Sequence, residues 1–216
     1  MTAAPVLRTF LARLRADAGR NVFNPWTERD AVQDGHLNGP AARLARLLHH
    51  LDCDPRWLLI GEAAGYQGAK VSGIPFTSER LILAGTIPRV AAPPGARLSL
   101  RPRPWSEPSA TTVWSTLHAL GMAERTILWN AFPWHPHEPG QRLSNRTPTL
   151  AERARGAPVL EALLAVFPRA RRFAVGRHAE AALAALGIDA QPLRHPSMGG
   201  ARAFRVGLQQ ALGRAR

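Results

Sequence analysis

The chain has 216 residues, 45% of them apolar, enough for one globular domain with its own core. Its 28 basic side chains outnumber 15 acidic ones, and a formal charge of +13 with a pI near 11.7 points to phosphate-bearing partners, nucleic acid above all. No apolar run reaches the length of a bilayer span, and the only cysteine, Cys53, can neither close an internal disulfide nor supply the four thiolates of an iron-sulfur cluster. Neither membrane insertion nor a disulfide-stapled secreted domain is therefore expected, and a cytoplasmic setting is. Of the basic residues 27 are arginine. The base composition of a genome can set that preference over lysine, but not the excess over acids. A basic enzyme without a nucleic-acid partner is the alternative.

Val6, Phe10, Leu11 and Leu14 recur at helical spacing and predict a surface helix, although an arginine-bearing leader would show the same pattern. Residues 21–39, with Phe23-Asn24-Pro25-Trp26, read as a loop that packs aromatics onto the domain. Leu44, Leu47, Leu48 and Leu51 share one face of a second helix, ended by Asp54-Pro55; His49 and His50 on it read as solvated or edge residues. Trp57 to Ile60 is a short apolar strand that stops at Gly61-Glu62. A glycine-punctuated loop follows, ending at an exposed aromatic, Phe76. Gly61, Gly65, Gly68 and Gly73 let main chain approach a ligand, and among them stand Glu62, the only tyrosine, Tyr66, and the only lysine, Lys70. The spacing fits neither GxGxxG nor a P-loop. A structural turn is as good a reading of the pattern alone.

Ser78 to Leu83 begins a helix, and Val90 to Pro104 is a loop whose Arg97, Arg101 and Arg103, beside Trp105, suit either DNA contact or plain solvation. Glu107-Pro108-Ser109 opens a helix with Val113, Trp114 and Leu117 inward. The strand Thr126 to Trp129 delivers Asn130 to its carboxyl edge, where a side-chain amide offers both a donor and an acceptor. His135-Pro136-His137 lacks the further ligands of a zinc site, so a loop bordering a pocket or DNA is expected. After the polar stretch 140–149, Thr149-Leu150-Ala151-Glu152 is a capping box that starts a helix ending near Phe167. Arg172 to Val175 is a strand, Ala179 to Leu186 a helix stopped by Gly187, and Gln191 to Arg194 a fourth strand ending at His195. A last helix runs through Leu208 and Leu212 to a frayed Arg-Ala-Arg tail.

Alternating strands and helices predict an α/β three-layer sandwich, a four-stranded parallel sheet flanked by helices. One domain is expected over 1–216, with a helical region at 1–54 and a core at 55–212. The loops 61–76, 130–137 and 195–200 then share the carboxyl edge of the sheet, where such folds place their ligand crevices.

The stretch from Gly61-Glu62-Ala63 to Gly73-Ile74-Pro75-Phe76, together with Leu128-Trp129-Asn130 and His195-Pro196-Ser197 in that order, resembles the motifs of the uracil-DNA glycosylase superfamily. Gly-Glu-Ala-x-Gly is similar to the opening of its iron-sulfur branch, but the single cysteine places the chain in a branch without a cluster. The resemblance covers roughly residues 55 to 212. It implies a monofunctional DNA glycosylase that flips out uracil, or another deaminated base, and hydrolyses its glycosidic bond in base excision repair, without cofactor or metal. Phe76 would stack on the base above Gly61 and Ala63, Asn130 would read its edge, and His195 would stabilise the departing anion. Glu62 would orient water, since Ala63 stands where members often carry Asp or Asn. Gly65 stands where the strictest uracil enzymes carry a tyrosine, implying a looser pocket. Ser197, Met198 and Arg202 would contact DNA, with Met198 as wedge and Arg205 nearby; inward packing of Met198 at the start of the last helix is the alternative. The implied protein is a cytoplasmic, nucleoid-associated monomer of bacterial type whose partner is damaged DNA. A superfamily member that binds DNA with little or no cleavage is the rival reading. A small-molecule α/β hydrolase is the third, without the Gly-x-Ser-x-Gly elbow of its commonest form.

Overall fold

The computed structural model describes residues 3–95 and 97–213, so the expected fraying of Arg214–Arg216 lies outside the described residues. In chain order the elements are α1 (Ala3–Leu14), β1 (Val22–Phe23), α2 (Pro40–Leu51), β2 (Trp57–Ala63), α3 (Ala69–Ser72), α4 (Glu79–Leu83) and α5 (Pro108–Ala119). There follow β3 (Thr126–Phe132), β4 (His135–Pro136), α6 (Leu150–Val166), β5 (Arg171–Val175), α7 (Arg177–Ala185), β6 (Gln191–Leu193) and α8 (Ala201–Gly213).

Four strands form one parallel sheet in the order β3-β2-β5-β6. The strands are apolar on both sides because both faces are covered. Leu58, Ile60, Ile127, Trp129 and Ala174 pack under α1, α6 and α7. Leu59, Leu128, Phe173 and Val175 meet Val113, Trp114 and Leu117 of α5 and Phe204 and Leu208 of α8. This is the predicted three-layer α/β arrangement. The capping box that starts α6 is present, with Thr149 and Glu152 exchanging hydrogen bonds, and Arg146 clamps the same carboxylate at 2.6 and 2.7 Å. α1 packs along α6 and buries Phe10 and Leu14 completely.

Four local expectations are corrected. β2 does not stop at Ile60: it runs through Gly61 and Glu62 to Ala63, because β3 continues beside it and keeps the ladder, with Gly61 opposite Asn130 and Ala63 opposite Phe132. The stretch 21–39 is not all loop, since Val22-Phe23 pairs antiparallel with His135-Pro136.

The inner face of α2 is Arg43, Arg46, Leu47, His50 and Leu51, while Leu44 and Leu48 are only half-buried. Arg43 is drawn inside by Asp34 at 2.8 Å and by the carbonyls of Pro25 and Glu28, and Arg46 by Asn38 and the Ser72 carbonyl. A satisfied polar network can occupy a face that apolar side chains would otherwise take. His50 is neither solvated nor at an edge. It is fully buried, and its Nε2 accepts the Leu128 N–H at 3.0 Å. That N–H lies on an outer strand of the sheet, so the imidazole stands in for a neighbouring strand. Burial pushes the His50 pKa down to about 3, which keeps the ring neutral and able to accept.

Candidate active site at the carboxyl edge of the sheet

Parallel pairing brings the ends of β2, β3 and β6 to one edge. Gly61 and Asn130 are cross-strand neighbours there, and both point to the face covered by α5 and α8. Phe76 reaches back from the loop after α3 and lays its ring directly on Gly61. A Cβ at position 61 would fall 2.5 Å from Phe76 Cζ and 2.8 Å from Asn130 Oδ1, so only glycine leaves room for both. Phe76 was expected to be exposed, but is 7% exposed, with φ of 50°. A bulky residue in the left-handed region is a strained exception held by its surroundings.

His195 arrives from the end of β6. Its ring centroid lies 6.1 Å from that of Phe76 with 37° between the planes, so the rings splay instead of stacking. The Ser197 backbone N–H donates to His195 Nδ1 at 3.1 Å, and Ser197 Oγ lies 2.7 Å from the same atom. An Nδ1 that accepts a hydrogen bond carries no proton, which puts the proton of the neutral ring on Nε2. Burial, helped by the Arg194 charge, holds the His195 pKa below its usual value, so the neutral form prevails at pH 7. Beyond it Met198 has φ of 51° and is 91% exposed at the loop tip, which excludes inward packing; Arg202 is exposed in the first turn of α8.

Phe76, Asn130, His195, Ser197, Met198 and Ala63 line one open cleft of about 780 Å³. Glu62 stands at its rim, but successive strand residues face opposite ways, and its carboxylate leans toward α7. His178 Nδ1 lies 3.5 Å from Glu62 Oε1, which is buried without a hydrogen bond. An apolar pocket of about 390 Å³ between α6 and α7 opens beside it.

Other candidates prove structural. Lys70 is 2% exposed and bonded to Asp30 at 2.6 Å. Arg97 donates to the buried Glu79, which also gathers the N–H groups of Leu98, Ser99 and Trp105 and so pins the 90–104 loop. Arg101 stacks over Trp105 at 3.6 Å. His135 and His137 do not border the cleft but are buried beneath it. His135 Nδ1 donates to the Ala64 carbonyl at 2.8 Å, and burial pushes its pKa down to about 4. Tyr66 turns out of the cleft onto Trp105. The nearest side chain to the open space at Gly65 is Asn145, whose Oδ1 accepts the Tyr66 N–H at 3.1 Å. Among the described residues no three His, Cys, Asp or Glu side chains gather as a metal site. Sequence reasoning missed Asn145, His178 and Glu107 as parts of the site. Only Glu107 carried a signal, an acid directly before Pro108-Ser109, and it read simply as a helix start.

Comparison with known proteins agrees with this geometry. A profile of the Uracil DNA glycosylase superfamily matches residues 48–207. No curated protein matches the chain. Among solved structures, wild-type SMUG2 from Pedobacter heparinus superposes with a TM-score of 0.66 at 14% identity, covering 97% of each chain, which shows a shared fold. The profile spans most of the chain and includes all three loops that meet at the sheet edge; the chain belongs to the uracil DNA glycosylase superfamily.

Proposed function

We propose that the protein is a monofunctional DNA glycosylase that extrudes uracil, or another deaminated base, from DNA and hydrolyses its glycosidic bond. The observation that carries this reading is the meeting of Phe76 and Asn130 over Gly61 with His195 beside Phe76, the Ser197 N–H on His195 Nδ1 leaving the ring proton on Nε2. The glycosidic bond is hidden in a stacked duplex, so the nucleotide must leave the helix, and exposed Met198 is suited to fill the gap. Phe76 offers the flipped base a stacking face, and the Asn130 carboxamide can pair with O4 and N3–H of uracil. As the bond breaks, negative charge grows on the base. A neutral His195 donating from Nε2 stabilises it at O2 without becoming charged itself. Glu62, at the rim of the cleft, orients the attacking water or balances the cationic sugar once its carboxylate swings from His178 into the cleft. The burial of the only lysine in an ion pair supports hydrolysis without a lyase step.

The rival reading, DNA binding with little cleavage, is favoured by Ala63 together with the Glu62 carboxylate leaning toward His178. Single-turnover reactions on oligonucleotides carrying U:G, U:A, single-stranded U, T:G and hypoxanthine separate the two. Uracil release that falls at least a hundredfold in His195→Ala, with DNA affinity kept within about threefold, is the expected result. DNA binding with no base released from any substrate would leave the binding-only reading.

A further inference from the structure

Asn145 meets the cleft from the loop that joins β4 to α6, and it lines the same opening as Phe76, Asn130 and His195. It is exposed, but the chain on both sides of it is pinned. Ser144 Oγ accepts the Glu138 N–H at 2.8 Å, and Arg146 donates to the His137 carbonyl at 2.9 Å as well as to Glu152. The Asn145 side chain therefore projects from a fixed stretch of main chain. It reaches over Gly65, where a Cβ would lie 3.7 Å from Oδ1 and 3.9 Å from Nδ2. Among the described residues nothing else beyond the chain neighbours of Gly65 comes within 4 Å of that point, so the space beside the amide is open to a ligand.

Which end of an amide faces a base decides what it can read. The Tyr66 N–H meets Asn145 at 3.1 Å, and a backbone N–H can only donate, so the atom it meets is the carbonyl oxygen. Nδ2, with its two N–H donors, is the end left over. Asn130 carries no such lock. It is 3% exposed beside Gly61, and its side chain makes no hydrogen bond among the described residues, so the amide can turn over. Turned one way it matches O4 and N3–H of uracil; turned the other it matches the N4 amino group and N3 of cytosine. By itself Asn130 does not tell a deaminated base from its parent. Deamination replaces an exocyclic amino group, a donor, with a carbonyl, an acceptor. A donor that cannot turn over is what the distinction requires.

We propose that Asn145 is a specificity-determining residue of the cleft, its Nδ2 donating to the exocyclic carbonyl of the flipped base and so admitting deaminated bases over amino-bearing ones. This rests on the glycosylase reading above and deepens it by naming the group that selects the substrate class. A carbonyl oxygen has two lone pairs, so O4 of uracil can accept from Asn130 and Asn145 together. An amino group in the same place would set its hydrogens against those of Nδ2. The amide could not turn over to meet it without stripping the Tyr66 N–H of its acceptor. The same argument separates O6 of hypoxanthine from the N6 amino group of adenine, so the selection does not depend on ring size.

The test uses Asn145→Asp, which keeps the shape and the acceptor for the Tyr66 N–H but replaces the donor with a second acceptor. Fluorescence anisotropy is read on two labelled duplexes whose target nucleotide is 2′-fluoroarabino-uridine or 2′-fluoroarabino-cytidine, both resistant to cleavage. Each target is set opposite an abasic site, so that pairing strength does not enter. The ratio of the two Kd values cancels any general effect of the added charge on DNA binding. Wild type should hold the uracil duplex about tenfold or more tighter than the cytosine duplex, and Asn145→Asp should bring that ratio below about threefold. Single-turnover uracil release by the variant should fall about tenfold or more. A ratio that survives in Asn145→Asp would reduce Asn145 to an anchor for the Tyr66 loop and overturn the proposal, as would a wild type that holds the two duplexes alike. Uracil release by the wild type would keep the glycosylase reading intact in either case. A wild type with no preference and no uracil release would overturn both.

Discussion

Phe76 holds an unfavourable backbone conformation, φ of 50°, which costs roughly 1–3 kcal/mol, and its ring is kept against Gly61 in return. That contact makes the two positions interdependent. Gly61→Ala would push a methyl group into the ring and swing it aside, and should therefore lower single-turnover uracil release as far as Phe76→Ala does, about ten- to a hundredfold given the usual worth of base stacking. The double variant should be no slower than either single one; additive losses would show that Phe76 acts away from Gly61. The importance of Phe76 was legible in the sequence through the Gly-Ile-Pro-Phe pattern, but its burial was not. Burial depended on Gly61 lying across the sheet edge with no side chain of its own. The direction of Glu62 was hidden for a related reason. Once the strand runs to Ala63, neighbours 61 and 62 must face opposite sides, and nothing in the residues themselves marked where pairing would end.

Among the secondary-structure elements, strand positions were the most readable. β2 and β3 open as apolar runs and β5 ends as one, and all four core strands begin within one residue of where the sequence places them. What failed was the environment of histidines. His50 and His135 are exposed or buried according to partners 78 and 71 residues away along the chain, and no local period reports those. His50 also ties α2 to β3 and supports the strand that carries Asn130. His50→Ala would orphan the Leu128 N–H and leave a cavity, and should cost about 1–3 kcal/mol in denaturant unfolding. At 25 °C uracil release should be unchanged. The folded pKa of His50 is near 3, below its unfolded value of about 6.5, so the unfolded chain binds more protons in that interval and stability is lost as pH falls through it. The variant should show a shallower loss between pH 6.5 and 4; an identical slope would mean that His50 is not buried neutral.

At the scale of the whole molecule, the excess of 28 basic over 15 acidic residues sets how strongly the protein meets any DNA, whatever its sequence. In the proposed function, exposed Arg202 at the start of α8 would meet the DNA backbone beside the cleft. Affinity for undamaged duplex should fall at least tenfold between 50 and 200 mM salt, because phosphate contacts release counterions. A flat salt response would remove the backbone as the main partner. The N-terminal 51 residues bear on solubility as well as on shape. β3 is an outer strand of seven buried residues, Thr-Ile-Leu-Trp-Asn-Ala-Phe, without charge or proline. Such a segment is the composition of a steric zipper once its edge is bare. The family profile begins at residue 48, inside α2, so a fragment trimmed to that boundary would keep His50 but lose the first two turns of the helix that holds it against this edge. Such a fragment should form thioflavin-positive fibrils where the full chain stays dispersed, and an added charge such as Ile127→Lys should suppress them at the expense of the fold.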